Sequence, residues 1–212
     1  MEATTRLDAD AAALLNVSED HLDRYDGIAD YVAAKARVFH GHGAQVINRQ
    51  DALSAAMALP GKEVWSFGTD APASDRAWGI VEQAGQWSLA RGAQGLMSIN
   101  DLPVAGLHNA ANALAAGALC HAVGVDDAPI VAAWRAYKGL PHRVEKIAVI
   151  DGVTYYDDTK GTNVGSAVAA LLGFAQPVVL IAGGEGKGQD FSPLRETVRR
   201  HARGVVLIGR DR

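Results

Sequence analysis

"PVVLIAGGEGKGQDFSPLRETVRRHARGVVLIG", residues 177–209, decides the fold class. An apolar run passes through a glycine-rich turn into the charged "SPLRETVRRHA", and a second apolar run, "GVVLIG", closes the stretch. Two unbroken apolar runs joined by a helix-length segment describe buried parallel strands with a crossover, since a strand covered on both faces has no polar alternation. Ser192 is the expected N-cap, with Pro193 in the first turn, where its missing N–H is not needed.

Upstream, "NVGSAVAALLGF" predicts a helix, and "VEKIAVIDGVTYYDD" predicts a hairpin turning at Asp151-Gly152. "GLPH" (139–142) breaks the preceding helix and predicts a boundary between a domain over 1–140 and another over 141–212. In the first, "AAALLNV" (11–17), "AQVINR" (44–49) and "EVWSFG" (63–68) predict strands. "WGIVEQAGQWSLAR" (78–91) predicts a hairpin around Ala84-Gly85. "GIADYVAAKARVFHG" (27–41), capped by Asp26, predicts a helix, as do "GLHNAANALAAGALCHAVG" (106–124) and "DDAPIVAAWRAYKG", capped by Asp127. The class is α/β with a mostly parallel sheet. The chain reaches Arg212 directly after an apolar strand, which reads as a sheet cut short.

The polar residues gather at strand-to-helix junctions, where open α/β sheets bind ligands. "DDTKGTN" (157–163) precedes a helix start whose free N–H groups favour anions, and Lys160 adds a cation. Asp158 can hold a ribose hydroxyl or orient Lys160. The plain alternative is an N-cap with a solvated ion pair, yet a cap needs only Thr162 or Asn163. "GGEGKGQD" adds glycines for close backbone approach, and Lys187. Two lysine loops on neighbouring parallel strands suit a dianionic substrate.

"SEDHLDRYD" (18–26) concentrates charge around His21, which is either a site residue or a surface hydrogen-bond partner. Lys35 falls near an apolar helical stripe and either snorkels or serves a site. Arg143 can close on phosphate with paired donors or bridge two domains. Asn109 and Asn112 can cap their helix or read a base edge, and spacing alone favours the cap. Cys120 lies in an alanine-rich run and reads as a buried packing thiol.

A net charge of −4 argues against nucleic acid or an anionic membrane as partner. No apolar run approaches the ~18 residues of a membrane span. The acidic start "MEATTRLDAD" is unlike a signal peptide, so the cytoplasm is expected. No G-x-x-x-x-G-K-[ST] phosphate loop occurs in the 212 residues.

The ordered segments "LNVSEDHLDRY", "AAKARVF", "GLHNAANALAA", "GLPHRVE", "DDTKGTN" and "GGEGKGQDFSPL" resemble the Mur ligases of peptidoglycan synthesis. The resemblance implies part of a central ATPase-type domain followed by part of a Rossmann-like C-terminal domain. It implies an ATP- and Mg2+-dependent ligase acting through an acyl phosphate. The "D[ST]K-x-TN" form points to the member adding D-glutamate to UDP-N-acetylmuramoyl-L-alanine, expected as a monomer at full length. On that resemblance, His21 contacts magnesium and substrate, and Lys35 becomes a carbamate and metal ligand. Asn112 reads adenine, Arg143 the nucleotide phosphates and Asp158 the ribose. Lys160 lies near the transferring phosphoryl group, and Thr162 with Lys187 holds the D-glutamate side chain. His21, Lys35, Arg143, Lys160 and Lys187 are expected to face one cleft. The family's uridine-nucleotide domain, phosphate loop and final C-terminal part have no counterpart among these residues, so they are expected not to ligate alone. The alternatives are a sibling such as a folylpolyglutamate synthase, or a non-catalytic nucleotide-binding module.

Overall fold

The computed structural model describes residues 4, 7–18, 24–104, 106–174, 176–186 and 188–211. They form two compact units, one from residues up to 103 together with Asn109–Tyr137, the other from Val104–His108 and Lys138 onward.

In the first unit, β1 (Ala11–Leu14), β2 (Ala44–Asn48), β3 (Val64–Phe67), β4 (Ala77–Gln83), β5 (Gln86–Arg91) and β6 (Gln94–Ser98) make one sheet in sequence order. The first four strands are parallel; β4, β5 and β6 follow as antiparallel neighbours. The β4–β5 turn is the expected Ala84-Gly85, both at positive φ (53° and 76°), as a two-residue type I′ hairpin needs. Helix α1 (Ile28–Ala36) continues as a 3-10 turn over Arg37–Phe39. Its N-cap is Gly27 rather than the expected Asp26, and it has no side-chain cap. A short α2 (Ala52–Ala56), which the sequence reading passed over, is capped by the Asp51 carboxylate on Ser54 N–H.

The core lies where β2–β5 meet α3 (Leu107–Ala122) and α4 (Asp127–Ala136), with Val46, Phe67, Trp78, Leu89 and Leu114 almost wholly buried. Buried Gln45 is satisfied by both backbone groups of Leu59, so it costs little. Gly117 admits two indoles: a Cβ there would stand 2.7 Å from Trp78 Cζ3 and 2.8 Å from Trp134 Cζ2. Trp134 Nε1 then reaches the Ala113 carbonyl at 3.1 Å. Two expectations fail here. Cys120 is exposed, because the buried stripe of α3 runs through Ala110, Ala113, Leu114, Gly117 and Ala118, and residue 120 turns away from it. The N-cap of α4 is Asp126, while Asp127 instead takes a two-pronged bond from Arg91 at 3.1 and 2.8 Å.

In the second unit, β7 (Glu145–Ile150) and β8 (Val153–Asp157) form an antiparallel hairpin through Asp151-Gly152 (φ 51° and 79°). After α5 (Val164–Leu172), β9 (Val178–Gly183) pairs in parallel with β10 (Ala202–Ile208) across α6 (Leu194–His201). The strand–helix–strand reading of 177–209 therefore holds. The cap of α6 does not: Pro193 occupies it, and Ser192 donates its N–H to Asp190.

Another correction concerns pairing. The Lys160 loop does not follow a parallel neighbour of β9, since β8 pairs with β7 and β9 with β10. Nor are these strands buried. Ile147, Val149, Val153, Tyr155, Val179 and Ile181 stay exposed, because the two-stranded sheets have uncovered faces.

Candidate functional site in the second unit

The β7–β8 hairpin sets the site. Its register places Glu145 opposite Asp157, so the segment before β7, "PHRV", lies beside the segment after β8, "DDTKG". Three hydrogen bonds join them, and a fourth ties the first segment to the start of β7. Lys160 N–H donates to the His142 carbonyl (3.1 Å), and Val144 N–H donates to Asp158 Oδ1 (3.1 Å). His142 Nδ1 meets Asp157 Oδ2 at 2.7 Å, and His142 N–H donates to Glu145 Oε2 at 2.8 Å.

Two cations emerge from this clamp. Arg143 and Lys160 are exposed, and neither side chain has a hydrogen bond or ion pair among the described residues. Asp158 is half-buried near Arg143. Burial pushes its carboxyl above the usual range, opposed by the Val144 N–H, Arg143 and His108. An acid whose charge burial opposes is a candidate site residue. Gly161 makes room for it, since a Cβ there would stand 2.7 Å from Asp158 Oδ2.

Three more groups converge. His108 is half-buried against Gly106 and Gly173, and burial holds its imidazole below the usual value against the pull of Asp158. Asn163 caps α5 in a reciprocal box, accepting Ser166 N–H at 2.8 Å while Ser166 Oγ accepts Asn163 N–H at 3.3 Å. Thr162 is thus not the cap, and it is exposed. Gln189, from the glycine-rich turn, accepts Val164 N–H (3.1 Å) and donates to the Thr162 carbonyl (3.4 Å), which ties that turn to the lysine loop.

The clamp is itself a cluster of possible metal donors. Ligand atoms of His142, Glu145 and Asp157 lie within 4.8 Å of one another. The hydrogen bonds among them account for that proximity. Asp157 is driven down to about 2 by the bond from His142 and by those from Thr159, so it stays ionised.

Arg143, Asp158, Lys160 and Thr162 thus share one region. Lys187 and His21 lie outside the described residues. Lys35 and Asn112 belong to the first unit. Lys35 is half-buried on α1 with its ammonium 4.8 Å from the Tyr31 ring centroid, a cation–π contact. The described residues gather no magnesium donor set around it. Asn112 is exposed in the second turn of α3, too far along to cap it. The sequence reading gave Asp157 and His108 no role. Counting the register back from Asp151-Gly152 sets Asp157 opposite Lys146, one residue off, because the register shifts between Lys146 and Ala148.

The second α/β unit thus carries two exposed cations beside a half-buried acid between a strand and a helix, the place where open α/β folds bind ligands. Residues 2–120 match the Mur ligase middle domain, and the chain belongs to that family. It is 58% identical over 213 residues to a UDP-N-acetylmuramoylalanine–D-glutamate ligase of Aromatoleum aromaticum, matching 100% of this chain and 46% of that protein. It is 54% identical to the ligase of the same name from Nitrosomonas europaea, again over 100% of this chain and 46% of the relative. The chain thus spans about half the length of the curated relatives it matches. Among solved structures, MurF from Acinetobacter baumannii superposes with a TM-score of 0.75 at 25% identity, over 95% of this chain and 47% of that one. A Mycobacterium tuberculosis folylpolyglutamate synthase complexed with ADP shares the fold, with a TM-score of 0.67 at 20% identity over 94% of this chain and 47% of that one. Among the described residues, no helix is long and apolar enough to cross a membrane.

Proposed function

We propose that the chain serves, as part of a longer polypeptide, in an ATP-dependent ligase that adds D-glutamate to UDP-N-acetylmuramoyl-L-alanine in the cytoplasm. On this reading, 1–140 is part of the central domain and 141–212 part of the C-terminal domain. The carrying observation is the clamp that leaves Arg143 and Lys160 exposed beside half-buried Asp158, with no side-chain hydrogen bond or ion pair among the described residues. Two unpaired cations recognise phosphate oxygens, and a carboxylate recognises vicinal ribose hydroxyls.

The individual roles are those that the resemblance to the Mur ligases implies. Arg143 binds the nucleotide phosphates, Asp158 the ribose and Asn112 the adenine. Lys160 stabilises charge on the phosphoryl group as it passes to the L-alanyl carboxylate of the acceptor. Thr162, with Lys187, holds the side-chain carboxylate of D-glutamate, whose amine attacks the acyl phosphate and expels phosphate. Lys35, if carbamylated, would hold magnesium together with His21, since an ammonium has no lone pair to give. Only the unprotonated amine can attack CO2.

A sibling activity is separated by substrate. A panel of amino acids supplied to the full-length protein, with UDP-N-acetylmuramoyl-L-alanine and ATP, should release phosphate with D-glutamate alone. Release with L-glutamate and a folate acceptor would transfer the assignment to a folylpolyglutamate synthase.

A further inference from the structure

Arg143 stands between two non-glycine residues in left-handed backbone, His142 (φ 64°) and Val144 (φ 49°). For a β-branched residue this is an outlier, and such strain persists only where surrounding bonds over-determine it. His142 is held at three points: its N–H by Glu145, its carbonyl by Lys160 N–H, and its ring by Asp157. An ionised carboxylate has no proton to give, so Nδ1 is the donor and the 2.7 Å bond is charge-assisted. The other oxygen of Asp157 accepts Thr159 N–H at 2.9 Å. One carboxylate therefore ties the turn before Arg143 to the loop that carries Lys160. Neither cationic side chain is consumed in doing so.

We propose that Asp157, acting through His142, is a positioning residue for the nucleotide: it fixes the backbone at Arg143 against that at Lys160, so both cations meet the phosphates already arranged. The inference rests on the phosphate-binding reading of Arg143 and Lys160 above. Asp157 brings negative charge to the neighbourhood of an anion, so a direct contact would weaken binding. Its contribution is preorganisation, which lowers the ordering cost of binding. His142 gives the bond its direction, and asparagine is its conservative substitute. Asparagine tolerates left-handed backbone and carries an amide N–H close to where Nδ1 sits.

The test is steady-state kinetics of the full-length protein with ATP varied, alongside thermal melting. Asp157→Ala and His142→Ala should each raise KM for ATP roughly tenfold, leaving kcat within about threefold and the melting midpoint near that of the parent. His142→Asn should recover most of the loss. A merely structural role would instead lower the melting midpoint without splitting KM from kcat. Parental KM in both alanine variants overturns the proposal and leaves the ligase reading intact. Should Asp157→Ala fail to fold, His142→Ala breaks the same bond from the other side and decides alone. An unsubstituted protein that releases no phosphate with D-glutamate overturns the ligase reading, and the positioning role with it.

Discussion

Asp158 accepts the backbone N–H of Val144 at 3.1 Å, yet burial holds its carboxyl above the usual carboxylate range. The hydrogen bond stabilises the charge and the desolvation opposes it, and desolvation is the larger effect. A folded-state value above the unfolded one means that stability falls as pH rises from the unfolded value to the folded one, and the cost is complete above the latter. Asp158→Asn keeps the acceptor oxygen and removes the charge. It should raise the denaturation midpoint at pH 7, an advantage that shrinks as pH falls and Asp158 protonates, while weakening nucleotide binding. A lower midpoint at pH 7 would make Asp158 a structural cap.

Val144 is the second probe of the same loop. Its φ of 49° is left-handed, where glycine is at ease and a β-branched residue is not. Val144→Gly should therefore stabilise the chain by about 1 kcal/mol instead of costing stability. Denaturant midpoints measure it, and a loss of about 2 kcal/mol would mean that side-chain packing outweighs the strain.

Arg91 and Asp127 link β5 to α4 in the first unit through a bond of 2.8 Å with both side chains about four-fifths buried. The Arg91 bond holds Asp127 below its ordinary value, so this stabilisation is present above the unfolded carboxylate range and is lost as pH falls through the folded value. Arg91→Met leaves the mostly buried Asp127 carboxylate with only His121 nearby, at 3.5 Å, and should cost about 2 kcal/mol at pH 7. Arg91→Met with Asp127→Leu should recover most of that, because no charge is left unpaired. Chemical denaturation at pH 7 and pH 3 measures both effects.

Gly117 tests the core. Alanine gains about 1 kcal/mol of helix propensity over glycine, but its Cβ would press on two indole rings at 2.7 and 2.8 Å. Overpacking of this kind costs about 1–3 kcal/mol, so Gly117→Ala should be net destabilising. A stabilised variant would mean that the rings yield easily. Trp fluorescence during unfolding reports on the rings directly.

Much of this was legible locally. Ala84-Gly85 and Asp151-Gly152 named their hairpins because a two-residue turn demands positive φ, and the demand is written in the turn residues themselves. Capping was less legible. Ser192, Asp26 and Asp127 each have the right chemistry beside a helix start, but Asp190 and Arg91 compete for two of them. Burial in the second unit was misread, because apolar composition cannot say whether a covering layer is present. In the site, Lys160 and Arg143 stood out as cations after helix breakers. The bond between His142 and Asp157 spans 15 residues and depends on a β7–β8 register that shifts between Lys146 and Ala148, which local pattern does not carry.

Amide chemical-shift mapping of ADP titrated into the 212-residue chain tests the shared phosphate-binding region most directly. The expected footprint is the amides of 142–145 and 157–162 moving together along one binding curve, and collapsing in Arg143→Ala. Shifts confined to other residues, or a titration that leaves both loops unmoved, would contradict it.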